Sequence, residues 1–492
     1  MNESQKVSLK EKIGYSCGDG AANLIFQMMM MFQLLFYTDA FKISPAVAGG
    51  ILLFASVFDA FVDPVVGILS DRTQTKWGKY RPWLLWTAIP FAVFFILTFT
   101  TPDLPERGKI IYAVITCTLL MSIYSFNNTP YSSLGGVMTS NIKERTSISS
   151  IRFITATIAT FVVQGLTLPL VSKFGGSTSS TKGWTLTVTI FALVGVALMI
   201  ITFFSAKERI APPVNQKTSV KQDFKDIISN LPWKSMFVLT LFLFITLALW
   251  GSSMSYYFKY VVDKNALFSF LGHFGLVGEE GAELSFGGKI LAAFNLIVYD
   301  PAKVFATGFS LFNMIGQIVT LIGVILLSQF LSNIFGKRNV FIICLALTAV
   351  FTGLFYVVSP SNIGGIFALN ILKSLAYAPT IPLLWAMMGD VADHSEWVHH
   401  RRATGFIFAG IVFALKAGLG IGGYICGKII GVFGYQDDVA QTPKAIEGIT
   451  LTSSLIPAIT FLVGVIALLF YPISMKKNEQ MQSELAERRQ KK

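Results

Sequence analysis

Apolar residues in this chain come in runs of about 20, longer than a buried strand and without the one-sided stripe of a soluble helix. LLFASVFDAFVDPVVGIL, LLWTAIPFAVFFILTF, TLTVTIFALVGVALMIITFF and SLIPAITFLVGVIALLFYPI are four of them. A run of that length crosses the hydrocarbon core of a bilayer as a helix. Twelve spans are predicted, at 15–38, 46–70, 82–101, 109–134, 151–173, 183–205, 236–262, 303–331, 339–359, 363–390, 405–434 and 449–473. The first is too long for a signal-peptide core and leads into YTDAFKIS rather than a cleavage pattern, so it is expected to stay in the mature protein.

The longest polar interruption, KERIAPPVNQKTSVKQDFKDIISNLPWKS, carries Pro212, Pro213 and Pro232 and reads as a linker at 206–235. It divides a six-helix bundle at 1–205 from a second at 236–473, which contains a long insert at 263–302 and is followed by a tail at 474–492. Two echoes point to duplication. GKYR follows span 2 and GKR follows span 8, while Pro130 in span 4 and Pro382 in span 10 each lead into a polar stretch, NIKERTSISSIR and DHSEWVHHRR. The expected fold is therefore an all-α membrane protein of twelve transmembrane helices in two pseudo-symmetric bundles, with the substrate site near the midplane.

Composition agrees: 53% of 492 residues are hydrophobic and 13% charged, against about 25% charged in soluble domains. The net charge of +12 would suit nucleic acid if it were clustered. It is instead distributed by topology. With both termini cytoplasmic, the inner segments hold 26 Lys and Arg and the outer ones 9, which is the positive-inside asymmetry. That charge meets lipid headgroups, and no nucleic-acid partner is expected. Cys17, Cys117, Cys344 and Cys426 all lie in apolar runs, where a free thiol behaves as a small hydrophobe, so neither disulfide nor zinc site is expected.

Ionisable residues inside spans cost at least about 2.5–3.5 kcal/mol and need a reason to be there. Asp59 and Asp63 in VFDAFVDPVVG share a helical face. Two carboxylates this close call for a cation or a shared proton, which makes them a candidate Na⁺ or H⁺ site; the bland alternative is a helix-stapling ion pair with Lys416 or Arg152. Asp19, flanked by Gly18 and Gly20, suits acceptance from sugar hydroxyls or a tight helix contact. Lys416 is too deep to snorkel, Tyr124 and Asn128 offer polar groups near Pro130, and Trp385 offers a flat face for a sugar or for core packing. Lys259, Lys373 and Lys428 read as interfacial snorkelling residues. GGYICGKI imitates a phosphate loop but lacks its final Ser/Thr and lies in a predicted helix, so no ATP site and no enzyme is expected.

With these motifs in view, the sequence resembles the glycoside-pentoside-hexuronide:cation symporters, the branch of the major facilitator superfamily typified by melibiose permease. KEKIGYSCGDGAAN, LLFYTDAF, DAFVDPVVGILSDRTQTKWGKYRPW, NTPYSSLGGVMT, WAMMGDVADHSEW and RRATGFIFAG carry the likeness over nearly the whole chain. The flavour is nearest the family's xyloside-type carriers. The resemblance implies that Asp59, Asp63 and Ser125 form the cation site, that Asp19 and Arg152 bind sugar, and that Lys416 links the two sites. Asn23, Tyr124, Asn128, Ser132 and Trp385 are further candidate substrate contacts. The segments DRTQTKWGKYR and DHSEWVHHRR imply inner gating charges at Asp71, Arg72, Lys79, Arg81, Asp390, Asp393, Arg401 and Arg402. Asn128 and Ser132 stand where melibiose permease has a second sugar aspartate and a stacking tryptophan, which argues against a melibiose-like galactoside. Val62 replaces a Na⁺-favouring asparagine, which admits H⁺.

The expected protein is a symporter of a prokaryotic inner membrane, importing a glycoside, pentoside or hexuronide with Na⁺ or H⁺ and no further cofactor, as a functional monomer. The rival readings are an ion-coupled carrier of another organic solute and a non-transporting sugar sensor. The amphipathic run ELSFGGKILAAFNLIV of the insert is expected to lie over the outer vestibule.

Overall fold

The structure is a computed structural model that describes residues 6–139, 141–209, 229–279, 283–399 and 404–490. Among these residues twelve helices are long and apolar enough to cross a membrane, and none of the regular elements is a strand. Lipid gives exposed backbone no hydrogen-bond partners, so each run satisfies its own amides by coiling. In the first half the helices are α1 (Leu9–Leu35), α2 (Pro45–Arg72), α3 (Arg81–Thr98), α4 (Glu106–Val137), α5 (Ile142–Gly175) and α6 (Thr181–Ser205). They are followed by α7 (Leu231–Tyr256), α8 (Lys264–Gly272), α9 (Phe286–Ala293), α10 (Val304–Phe335), α11 (Lys337–Gly353), α12 (Ile363–Tyr377) and α13 (Thr380–His399). The last are α14 (Thr404–Val432), α15 (Pro443–Ser453), α16 (Leu455–Leu469) and α17 (Met475–Gln490).

Two predicted spans are not single helices. The tenth breaks between Tyr377 and Thr380, because Pro379 and Pro382 lack the amide hydrogens that would continue the ladder. The twelfth breaks at Ser454, whose φ of −137° and ψ of −85° leave the helical region three residues before Pro457. Several other helices overrun their apolar cores. The first span begins at Leu9, where the Ser8 hydroxyl accepts the Glu11 amide. Hydrophobicity marks only the part in lipid, whereas a cap fixes where the helix begins.

The chain forms two compact units that interleave along the sequence. One comprises Met1–Val214, Phe258–Met314 and Gly423–Ile446, and the other Asn215–Tyr257, Ile315–Gly422 and Glu447–Lys492. In the first, α1 packs on α5 and α6, α2 on α4, and α3 on α4 and α6. The end of α14 joins this unit by close backbone approach: a Cβ on Gly427 would meet the Pro45 carbonyl oxygen at 2.2 Å. In the second, α16 packs on α7 and α11, and α13 on α7, α11 and α17, around a core that includes Met236, Phe341, Leu345, Met387, Ile407 and Leu468.

The GKYR and GKR echoes have matching geometry. Gly78 and Gly336 both take positive φ, +111° and +77°. The arginine after each then reaches the last carbonyls of a neighbouring helix: Arg81 donates to the Phe203 oxygen at 2.8 Å, and Arg338 to the Leu469 oxygen at 2.9 Å. Both satisfy acceptors that a helix end leaves open. A further correspondence was not read from sequence. α1 and α7, each the first span of its half, end in a five-residue π turn, Phe36–Ala40 and Tyr257–Val261.

Candidate functional site

The first cluster forms where α1, α4 and α5 meet. Gly18 leaves room for the Tyr131 ring, since a Cβ there would lie 2.3 Å from it. Tyr15 and Tyr131 stack with centroids 4.7 Å apart. Each hydroxyl donates to the other's backbone carbonyl at 3.0 Å, so the pair is locked. Against these rings lies the Arg152 guanidinium, 5.0 Å from the Tyr131 centroid and 5.6 Å from that of Tyr15. Arg152 donates through both Nε and Nη2 to the Asp19 carboxylate, the second at 3.1 Å.

A carboxylate accepts two hydroxyl protons and a guanidinium donates several, so both groups can hydrogen-bond vicinal hydroxyls while they remain paired as neighbouring opposite charges. Side-chain exposures of 28% for Arg152 and 14% for Asp19 show that the pair is approachable. Asn23 donates its amide to the Asp19 carbonyl at 2.9 Å. Tyr124 packs beside Phe26 and Phe91. Asn128 is half-buried and Ser132 exposed, while the neighbouring Asn127 is turned inward and donates to the Thr87 hydroxyl at 2.7 Å.

The second cluster joins α2 and α4. Asp59 is 5% exposed and accepts the Ser125 hydroxyl at 2.6 Å. Asp63 follows one turn later, half-buried, just before Pro64. Carboxylate and hydroxyl oxygens are hard donors, the set that suits Na⁺ or a proton. Ser125 and Tyr131 stand on the same helix, six residues and about 9 Å apart along it, so α4 physically links the two clusters. Trp385, 45% exposed on α13, and Lys416, half-buried on α14, belong to the other compact unit.

The charged residues expected at the gate differ in their partners. The backbone amides of Lys79, Tyr80 and Arg81 converge on the Glu208 carboxylate at 2.8–3.0 Å, and the Tyr80 hydroxyl donates to Asp71 at 2.8 Å. Burial and the adjacent Asp71 carboxylate push the Tyr80 phenol well above its ordinary value. Arg72 is exposed. Asp390 takes both oxygens to Lys337 at 2.8 Å, and Asp393 accepts from Gln482 at 2.8 Å. Arg401 and Arg402 lie outside the described residues.

Sequence reasoning missed a charged network around Asp39. The two π turns bring Asp39 and Lys259 together at 2.5 Å, and Lys259 also donates to Asp438 at 2.8 Å. The Tyr435 hydroxyl donates to Asp39 at 2.6 Å, Ser179 donates to Asp438 at 2.8 Å, and Lys42 pairs with Asp437 and Asp438. Lys259 is therefore a half-buried node of an ionic network rather than a snorkelling residue, because its acceptors come from segments distant in sequence. Lys373, assigned the same role, instead places its ammonium 3.8 Å from the Trp250 ring centroid. The available signal was a single charge near the end of the first span of each half, Asp39 and Lys259, of opposite sign.

Residues 14–280 and 287–475 match the family model described as MFS/sugar transport protein. The inner membrane symporter YicJ of Escherichia coli K12 is 33% identical over 492 residues, covering 99% of this chain and 96% of that one. The chain belongs to this family. Its place is with the glycoside-pentoside-hexuronide:cation symporters, and it is a transporter, not an enzyme. Within the family, the isoprimeverose transporter of Lactiplantibacillus pentosus is 31% identical, covering 95% of this chain and 89% of that one. The fold is shared with the crystal structure of a D-xylose-proton symporter at a TM-score of 0.63 and 14% identity, over 95% of this chain and 98% of that one. The protein is thus an integral membrane protein of the major facilitator fold, and its functional class is sugar-type symport.

Proposed function

We propose that this symporter imports a xyloside-type glycoside or pentoside together with Na⁺ or H⁺ by alternating access, in a prokaryotic inner membrane with both termini cytoplasmic. The observation that carries the reading is the Asp19–Arg152 pair held against two mutually locked tyrosines, on a helix set that also holds the Asp59–Ser125 contact. Sugar would take over hydrogen bonds from Asp19 and Arg152, and the cation would neutralise Asp59 and Asp63. α4 carries residues of both clusters, so filling one biases the other, and linkage makes that bias reciprocal. Kinship with the isoprimeverose transporter supports the xyloside preference. The functional halves would be 1–205 and 236–473, moving as units about the 206–235 linker.

Uptake into proteoliposomes under imposed Na⁺ or H⁺ gradients tests this. Asp59→Asn and Asp63→Asn are expected to abolish accumulation against a gradient, and Arg152→Gln to raise the sugar half-saturation by tenfold or more, since a charge-assisted bidentate contact contributes about 1.5–3 kcal/mol. Full gradient-driven accumulation by either aspartate variant would refute the cation assignment. A panel of xylosides, glucosides, galactosides and glucuronides then ranks the substrate.

A further inference from the structure

The insert between the seventh and eighth spans carries apolar side chains that the rest of the protein does not cover. On α9, Phe286 is 82% exposed and Ile290 46%, and Phe294, just past its end, is 41% exposed. Spaced four apart, they form one stripe, and no residue of α9 is buried. Phe274 and Tyr299 add exposed rings nearby. In water such a segment would be a liability.

Its depth decides what covers it. The Asn295 amide donates to the Pro169 carbonyl at 3.1 Å, and the Lys173 ammonium donates to the Ala293 carbonyl at 2.5 Å. Both partners belong to the fifth span, Glu144–Gly175. At about 1.5 Å per residue its 32 residues extend about 48 Å, some 18 Å more than a hydrocarbon core of about 30 Å. Most of that excess is the polar stretch 144–150 at one end; at the other the apolar run closes at Lys173, and Pro169 stands four residues, about 6 Å, inside that edge. A second tether agrees. Leu267 of α8 fills the space left by Gly308, where a Cβ would lie 2.5 Å from it. Gly308 stands five residues, about 8 Å, past Lys303, the last charge before the apolar run of its span. Both helices of the insert are thus fastened at the boundary between acyl chains and headgroups.

We propose that residues 283–294 form a membrane-interface anchor, with the Phe286, Ile290 and Phe294 stripe entering the acyl boundary of the leaflet opposite the chain termini. Lys289 flanks the stripe, and Lys173 stands at the span end, where cations meet lipid phosphates. Aromatic rings are favoured at this depth. A protein partner is a poorer occupant: eight residues of helix offer far less than the roughly 800 Å² a stable interface takes from each side. The inference does not depend on which solute is carried.

The test places an environment-sensitive fluorophore on Ile290→Cys or Phe286→Cys in the full chain, reconstituted in phosphatidylcholine–phosphatidylglycerol vesicles. Glu279→Cys, on the exposed loop of the same insert, is the water-facing reference, and label on the parent chain gives the background from native thiols. Expected are blue-shifted emission and loss of signal with lipids doxyl-labelled near the headgroup, but none with aqueous iodide, while the Glu279→Cys label responds to iodide. Iodide quenching at positions 286 and 290 would place the stripe in water, and protection from both quenchers would place it under protein. Either result overturns the anchor.

Discussion

At the scale of single residues, the Asp19–Arg152 cluster depends on a missing side chain as much as on those present. Gly18→Ala would drive a methyl group into a Tyr131 ring that stacking and a hydrogen bond prevent from moving. A loss of about 1–3 kcal/mol of stability is expected, with a raised sugar half-saturation, read from thermal unfolding and uptake. Gly20→Ala is the control: its methyl would meet only the Thr155 and Leu198 side chains, at 3.1 and 3.5 Å. Arg152→Lys keeps the charge but loses the planar fork that engages both Asp19 oxygens. It should therefore weaken sugar binding nearly as much as Arg152→Gln; wild-type half-saturation in the lysine variant would show that charge alone suffices. Ser125 was implied only by the family resemblance, whereas Asp19, Arg152 and Asp59 were legible in the chain because charge in an apolar run stands out. Tyr15 and Tyr131 were not, since aromatic residues are ordinary there and their reciprocal bonds join positions 116 apart.

At the scale of elements, the π turns after α1 and α7 place Asp39 and Lys259 at the heart of one ionic network. Burial pushes the Asp438 carboxyl up, but hydrogen bonding and charge from Lys259, aided by Ser179 and Lys42, bring it down to about 2. Burial lowers Lys42 while its bonds to Asp437 and Asp438 raise it, with a net rise. A folded-state value below the ordinary 3.8 means that Asp438 contributes fully above about pH 4 and loses its contribution as pH falls towards 2. Amide exchange in 436–441 should thus be constant from neutral pH to about pH 4 once corrected for intrinsic rates, and Asp438→Asn should raise it throughout. A network equally protected in that variant would show that Asp437 and Asp39 suffice. In the second unit, α17 docks on α13 through buried Met481 and Leu485 and through the Trp397 indole donating to Glu484 at 2.6 Å. Leu485→Ala should free the tail helix, at a local cost of about 2 kcal/mol or more, seen as faster proteolysis of 475–490.

At the scale of the molecule, twelve spans require both ends of the chain on one side. Tags at residues 1 and 492 should be reached only from the cytoplasm, and a labelled cysteine at Glu279 only from the other side; opposite-side labelling of the two termini would remove a span. The number of spans and the all-α architecture follow from the sequence alone, because lipid permits an apolar run of this length essentially one backbone solution. Charged residues inside the spans are equally visible, since lipid makes each conspicuous, but Asp39, one residue past the first predicted span, is not. Partners are another matter. Asp19 meets Arg152, Asp59 meets Ser125, and Asp39 meets Lys259 across 133, 66 and 220 positions, and no local pattern encodes those distances. The compact units likewise interleave rather than follow the sequence halves. Helix formation is decided by neighbours in the chain, whereas the ion pairs and the closeness of α2 to α14 are decided by packing, which tertiary structure alone can place.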